Sequence, residues 1–431
     1  MSDFLNKAQG LGLALVTKLA SSDLLDQFKL RPLVERTLYH GSKTGFIALS
    51  KSQVLFSKNN DQPKQRLNTQ NKSLFDLSLS EEQAMLREAL QGFAQDVIYP
   101  LAHQSDHVAK FPPTLANQAK ELALNFYALP EQYGGVATEQ SVVSNVLIAE
   151  DLARGDFALT ASLLSTFSVI NAITRWGNEQ VQNKYLATFA EDTELKATFA
   201  SQENTPAFNP FQLKTVAEKT AQGYQITGEK TLVILGKTSD VYLVSASLNG
   251  NPTVFIVERD DSISVQTSPA MGLKATESVN LKFNQTPAQL LGDEDFNYSE
   301  FLDLGNLMWC AMAVGTCEAV KAYCINYANE RVAFGEPISH RQSVAFMIAD
   351  MAIEIDAMRL LVWNAASLAE AGQPFHREAY LARLLCAEKS MKIGTDGVQL
   401  LGGHGFTKEH PVERWYRDLR STAIMHSGLH A

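Results

Sequence analysis

Residues 396–407 read Asp396-Gly-Val-Gln399-Leu-Leu-Gly402-Gly403-His404-Gly405-Phe406-Thr407, and residues 410–418 read His410-Pro411-Val412-Glu413-Arg414-Trp415-Tyr416-Arg417-Asp418. Paired glycines lack the Cβ atoms that keep other groups away from a backbone, so Gly402 and Gly403 mark a place of close approach. Upstream stands Arg331-Val-Ala-Phe334-Gly335-Glu-Pro-Ile338, followed by Gln342. The planar guanidinium of Arg331 offers a fixed fork of donors suited to an anionic group.

Outward from these runs, the pattern divides the chain into four parts. Residues 1–75 carry 11 Lys and Arg against 5 Asp and Glu. Within residues 1–57, Leu11, Leu13, Leu15, Val16 and Leu19 alternate with basic side chains. Such an amphipathic segment can lie on an anionic membrane surface, or pack on the body or on a neighbouring subunit. Asn59–Lys72 is polar and reads as a linker. Residues 76–195 are helix-periodic. Ser80-Glu81-Glu82-Gln83 forms a capping box, and the helix it starts is expected to stop at Pro100. Residues 196–295 are strand-like, and Asn249-Gly250 is a hairpin-turn pair. Residues 296–431 return to helix. Helices, a compact β block, then helices make an α+β chain of three domains behind an extension.

The composition is that of a globular protein, with 45% apolar and 19% charged residues over 431 positions. The net charge of −10 argues against nucleic acid as a general partner. Cys310, Cys317 and Cys324 recur on one helix face and read as buried small apolar residues. With no disulfide or metal spacing, the expected compartment is reducing. No uninterrupted apolar run reaches the ~18 residues of a membrane span, so the expected location is cytoplasmic, with peripheral membrane contact through residues 1–57 left open.

The runs at 331–342 and 396–418, with Pro130-Glu-Gln-Tyr-Gly-Gly135 and Glu150-Asp-Leu-Ala-Arg154-Gly-Asp156, resemble the acyl-CoA dehydrogenase family. The resemblance implies an N-terminal helical domain, a middle β-domain and a C-terminal four-helix bundle. It implies FAD as cofactor, an acyl-CoA substrate, an electron-transfer flavoprotein-like acceptor, and a homodimer or homotetramer. By the same resemblance Arg331 meets the FAD pyrophosphate and Phe334 packs near the adenine. Gln342, Gln399, Gly402, Gly403 and Ser201 join the cofactor site.

Three departures bear on the chemistry. A Thr-Glu-Pro-x-x-Gly-Ser-Asp string that faces the flavin ring in such proteins appears as Ser201–Pro210. A Trp-Ile-Thr string appears as Leu232-Val233-Ile234. The base, a Glu in Tyr-Glu-Gly-Thr, is replaced by His426, and the alternative Glu position holds Gly305 beside Asn306. Removing an α proton beside a thioester requires a positioned base. Three assignments stay open: His426, whose imidazole titrates in a suitable range; a second acid such as Asp303; or no dehydrogenation at all. The expected activity is introduction of an α,β double bond into an acyl-CoA. The alternative is a catalytically impaired acyl-CoA- or flavin-binding relative on the same fold. The resemblance also implies a helix beyond Ala431, whose place the first 75 residues would fill.

Overall fold

The computed structural model describes residues 78–431, apart from 138–139, 192–194 and 294–295. The reading of residues 1–57 as a membrane-contacting or packing segment therefore lies outside the described residues.

Ser80 starts the first helix as its spacing predicts. Its Oγ accepts from Gln83 N at 3.1 Å, and Gln83 Oε1 accepts from Ser80 N at 3.0 Å. Helix α1 (Glu81–Phe93) does not end at Pro100. A π-helical stretch at Ala94–Ile98 carries it into α2 (Tyr99–Val108), where Pro100 occupies the first turn. Proline is excluded from a helix interior by its missing N–H and its ring. The wider π turn resets the hydrogen-bond ladder so that Pro100 sits at a helix start, where no N–H is needed.

Helices α3 (Pro113–Glu121), α4 (Val142–Ala153), α5 (Phe157–Trp176) and α6 (Glu179–Glu191) complete the first block. The α5 helix is apolar enough to cross a membrane, with a mean hydropathy of 1.5, but 83% of that window is buried. It is a core helix.

Seven strands follow: β1 (Ala197–Ala200), β2 (Val216–Thr220), β3 (Gly223–Val233), β4 (Val241–Leu248), β5 (Asn251–Glu258), β6 (Ile263–Thr267) and β7 (Val279–Leu290). β4 pairs with β2, β2 with β3, β3 with β7, β7 with β5, and β5 again with β4. The sheet therefore closes on itself, with β1 added along β4 and β6 along β7. The β4–β5 hairpin turns at Asn249 (φ 53°) and Gly250 (φ 85°), with Leu248 opposite Asn251, which is the two-residue primed turn. Tyr242, Phe255 and Phe283 fill the barrel.

The long helices α7 (Tyr298–Glu330), α8 (Gln342–Glu370) and α9 (His376–Leu401) pack on one another, and α4 lies against α7 and α8. Cys310, Cys317 and Cys324 are buried on α7 and Cys386 on α9, all as free thiols. A short hairpin, β8 (Val332–Ala333) and β9 (Glu336–Pro337), joins α7 to α8. Helices α10 (Val412–Leu419) and α11 (Ser421–Ile424) close the chain.

The Arg414–Asp418 run holds these parts together. Arg414 donates to Asp156 at 2.9 Å with both side chains buried, Arg417 forks onto Asp106, and Asp418 accepts from Leu273 N at 2.7 Å. One turn of helix thus ties the helical block to a loop of the β block.

Candidate functional site

Two surface features stand at the outer end of α7 and α9. Arg331 is the C-cap of α7, and its guanidinium makes no hydrogen bond or ion pair among the described residues. The β8–β9 hairpin behind it presents Phe334 at 97% exposure, with Arg341 5.7 Å over its ring. Gln342 opens α8 and Gln399 lies on the last turn of α9, both exposed. Gly402 then adopts φ 59°, ψ −128°, a conformation closed to side-chain-bearing residues. A Cβ at Gly402 or Gly403 would meet nothing within 4 Å, so the Cα of each opens onto free space. Tyr327 of α7 fixes this turn by a 2.8 Å hydrogen bond to His404 Nδ1. His410 is held likewise by Tyr323 at 2.7 Å. An unpaired guanidinium, a bare glycine backbone and an exposed aromatic ring fit a phosphate-bearing dinucleotide such as FAD.

The inner end lies where β1 runs out. The Ser201 side chain lies 3.5 Å from Ser245 Oγ, on the face of β4 that turns Val241 and Leu243 toward the helical core. Gln202 donates from Nε2 to Ile424 O at 2.6 Å. Glu203 lies beneath, accepting from Lys214 N at 2.8 Å, Thr215 N at 3.0 Å and Lys230 Nζ at 2.8 Å. Lys230 is fully buried, and burial pushes its ammonium down to about 8 while Glu203 pulls it up. Lys230 also donates to Ser201 O at 3.2 Å, so the ion pair pins the whole 201–203 segment. Three residues on, the β3–β7 register shifts between Lys230 and Val233, Leu232 has φ 54°, and Val233 and Ile234 are buried.

His426 is half-buried beside Arg383 of α9, whose NH2 lies 3.3 Å from His426 Nε2. Among the described residues Arg383 meets neutral acceptors: Asn306 Oδ1 at 3.0 Å, Met425 O at 2.7 Å and Ala423 O at 3.3 Å. Burial, and then the Arg383 charge, hold the imidazole down at about 4. His426 is neutral at pH 7, with Nε2 turned to a cation. Asp303 is engaged elsewhere, 2.6 Å from His376 Nδ1; burial raises its carboxyl above the ordinary range, although His376 opposes this.

The segment after His426 turns inward. Trp309 donates to Ser427 O at 2.7 Å and Trp176 to His430 Nε2 at 2.9 Å, while Ser427, Leu429 and His430 are each 0% exposed. This segment passes so near α7 that a Cβ on Gly305 would lie 2.7 Å from Leu429 O and 2.8 Å from Ser427 Cα. Gly305 is therefore required by packing.

Sequence reasoning missed Gln202, the Glu203–Lys230 pair and Arg383. Arg383 sits in an amphipathic helix like any surface arginine, and the pair spans 27 residues with no motif spacing to betray it.

The buried histidines make stability depend on pH. Burial, and secondly Arg175, push His430 down to about 3 from 6.5. Its folded value lies below its unfolded one, so the unfolded chain takes up the proton first. The associated stability is complete above about pH 6.5 and is lost as the pH falls toward 3. His430→Gln can still accept from Trp176 but does not titrate. Between pH 7 and 4.5 its urea midpoint should fall less than that of the unaltered protein. The difference should reach a few kcal/mol, because each step of one in pH below the unfolded value costs about 1.4 kcal/mol. Parallel curves would refute this.

Comparison with known proteins supplies the context of this geometry. The family model described as "Acyl-CoA dehydrogenase, N-terminal domain" matches residues 80–193, and "Acyl-CoA dehydrogenase, C-terminal domain" matches residues 297–428. The chain is similar to an acyl-CoA dehydrogenase of Bacillus subtilis, 32% identical over 362 residues that cover 81% of this chain and 95% of the relative. It is 30% identical to a short-chain specific acyl-CoA dehydrogenase of Megasphaera elsdenii, again over 81% of this chain and 95% of the relative. The solved butyryl-CoA dehydrogenase of Megasphaera elsdenii superposes with a TM-score of 0.75 at 28% identity, covering 82% of this chain and 96% of that one.

Proposed function

The chain belongs to the acyl-CoA dehydrogenase family, and from that premise we propose that it is a FAD-dependent oxidoreductase that introduces an α,β double bond into an acyl-CoA thioester. The observation that carries this reading is the outer site: Arg331, unpaired among the described residues, caps the helix whose Tyr327 holds the turn after Gly402–Gly403, and those glycines open onto free space. Arg331, Gln342, Gln399, Gly402 and Gly403 hold the adenosine and pyrophosphate half of FAD, with Phe334 against the adenine. When bound, FAD supplies a hydride acceptor.

The chain's own residues divide the rest. The 201–203 segment, pinned by Lys230, forms the wall toward the flavin ring. Arg383 and Asn306 fix His426 at the position where an α proton would be drawn off. His426 is a weak base there, because a group at about 4 holds a proton poorly at pH 7. Burial lowers an imidazole but raises a carboxyl, so the reaction is slow relative to one served by a carboxylate in the same place.

The molecule works as a homodimer or homotetramer. On α8, Phe346, Ile353 and Leu360 recur every seven residues at 61%, 67% and 44% exposure, an apolar stripe that a second copy covers. An electron-transfer flavoprotein-like protein re-oxidises the cofactor.

The test is direct. The purified protein should take up FAD, sediment as a dimer or tetramer, and lose flavin absorbance anaerobically with an acyl-CoA. Failure to bind FAD sinks the reading. Binding without bleaching, for any acyl length, favours the impaired relative.

A further inference from the structure

Beyond His426 the backbone reverses. Ser427 and Gly428 both take left-handed conformations, at φ 56° and φ 91°, and the turn sends Leu429, His430 and Ala431 into the protein. Leu429 and His430 are 0% exposed and Ala431 4%. Leu429 and Ala431 belong to the main hydrophobic core. The His430 ring is held between two aromatic side chains: Trp176 donates to its Nε2 at 2.9 Å, and the Phe301 ring centroid lies 5.4 Å from its own. Trp176 is the last residue of α5 and Phe301 stands near the start of α7, so His430 fills the space between these two helix ends. Helix α7 makes room for the segment with Gly305, since a Cβ there would lie 2.7 Å from Leu429 O.

We propose that Leu429 and His430 form the floor of the acyl pocket and confine the substrate to short acyl groups of butyryl size. The inference rests on the acyl-CoA reading above and names the substrate class within it. The nucleotide end of an acyl-CoA is charged and stays at the surface, whereas its hydrocarbon end gains free energy by leaving water. With the α carbon at His426, that end runs inward from the base. Two other sides of the imidazole are taken, by the Arg383 guanidinium at 3.3 Å and by the Phe208 ring at 6.1 Å between centroids. The inward side holds residues 429–431 of the protein's own chain. A packed interior does not take extra methylenes without displacing its side chains. A butyryl group carries a single methyl beyond its β carbon, so it fits without entering that space. An octanoyl group needs the volume that Leu429 and His430 fill.

The test is calorimetric titration of the FAD-loaded protein with two thioethers, S-butyl-CoA and S-octyl-CoA. Neither has the carbonyl that acidifies an α proton, so both bind without reacting. The unaltered protein should bind S-octyl-CoA no more tightly than S-butyl-CoA, whereas in an open apolar pocket each added methylene would tighten binding about 4-fold. His430→Ala and, separately, Leu429→Ala open space beneath the base. Each should shift the ratio of the two affinities toward S-octyl-CoA by about 10-fold or more, the worth of roughly two buried methylenes. His430→Gln keeps most of the volume and an acceptor for Trp176, and its ratio should match that of the unaltered protein. A preference of the unaltered protein for S-octyl-CoA by the open-pocket margin overturns the proposal, and this reading holds even where a variant fails to fold. An unchanged ratio in folded His430→Ala and Leu429→Ala overturns it as well. Failure to bind either thioether is a different result, which sinks the acyl-CoA reading itself and the proposal with it.

Discussion

Replacing His426 by glutamate should speed removal of the substrate α proton by about 10²-fold or more, within the 10²–10⁴ that a positioned general base contributes. The imidazole now there is held neutral and weakly basic by burial and by Arg383, 3.3 Å away. A carboxylate at the same place would form an ion pair with that guanidinium, whose acceptors among the described residues are neutral. Burial, which lowers the imidazole first of all, acts on a carboxyl with the opposite sign and raises it, so a carboxylate there holds a proton better than the present imidazole while Arg383 keeps it ionised and fixed in direction at pH 7. Two measurements read the effect: exchange of the acyl-CoA α hydrogen with heavy water, which does not depend on the flavin, and the anaerobic bleaching rate. His426→Gln is the control, with no gain in either. Moving the carboxylate to the alternative position should fail for a packing reason. Gly305→Glu places a Cβ 2.7 Å from Leu429 O, and backbone cannot yield there as a flexible side chain could, so the variant should lose stability before it gains a base. An unchanged exchange rate in a folded His426→Glu protein would show that residue 426 does not face the α carbon.

Much of the fold is legible because its signals are local. The capping box at Ser80, the turn at Asn249-Gly250 and the change from helical to strand period are each written within a few residues, and the structure shows them as such. Pro100 shows the limit of local rules: a π turn five residues long lets the helix run past it. The outer half of the site is legible for the same reason, since Arg331, Gly402 and Gly403 act through their own type and immediate backbone. The inner half is made by long-range pairing. At the end of a strand, adjacent side chains face opposite ways. Choosing between Ser201 and Gln202 is then a choice of face, and composition does not decide it. The partner that decides it, Ile424, lies 222 residues away. Likewise, the pKa of His426 is set first by burial and then by Arg383 on α9. A motif can say that a glutamate is missing; it takes the packed structure to say what its replacement can do.

The most destabilising single change near the site should be Glu203→Gln, by roughly 3–5 kcal/mol, the usual cost of stranding one member of a buried ion pair. The Lys230 side chain is 0% exposed, and among the described residues its ammonium touches Ser201 O and Glu203. Removing the negative charge leaves a buried cation with neutral acceptors, and its folded pKa must fall further below the present value of about 8. The sign of the pH dependence follows. The unfolded lysine holds its proton to about 10.4, so the unfolded state binds more protons than the folded one over a window that the substitution extends downward. The deficit relative to the unaltered protein should therefore grow as pH falls below 8 and shrink above it. Urea unfolding at pH 6 and pH 9 reads both the size and the trend. The double variant Glu203→Gln with Lys230→Met removes both charges from the barrel wall and should recover most of the loss, as replacing a buried pair by apolar side chains often does. It should not recover FAD affinity, because Lys230 Nζ also holds the Ser201 carbonyl and with it the strand end that carries Gln202. Recovery of stability without recovery of affinity would separate the two tasks of the pair, folding the barrel and setting the wall of the flavin site. A Glu203→Gln protein as stable as the unaltered one at pH 6 would mean that Lys230 is already neutral in the folded state.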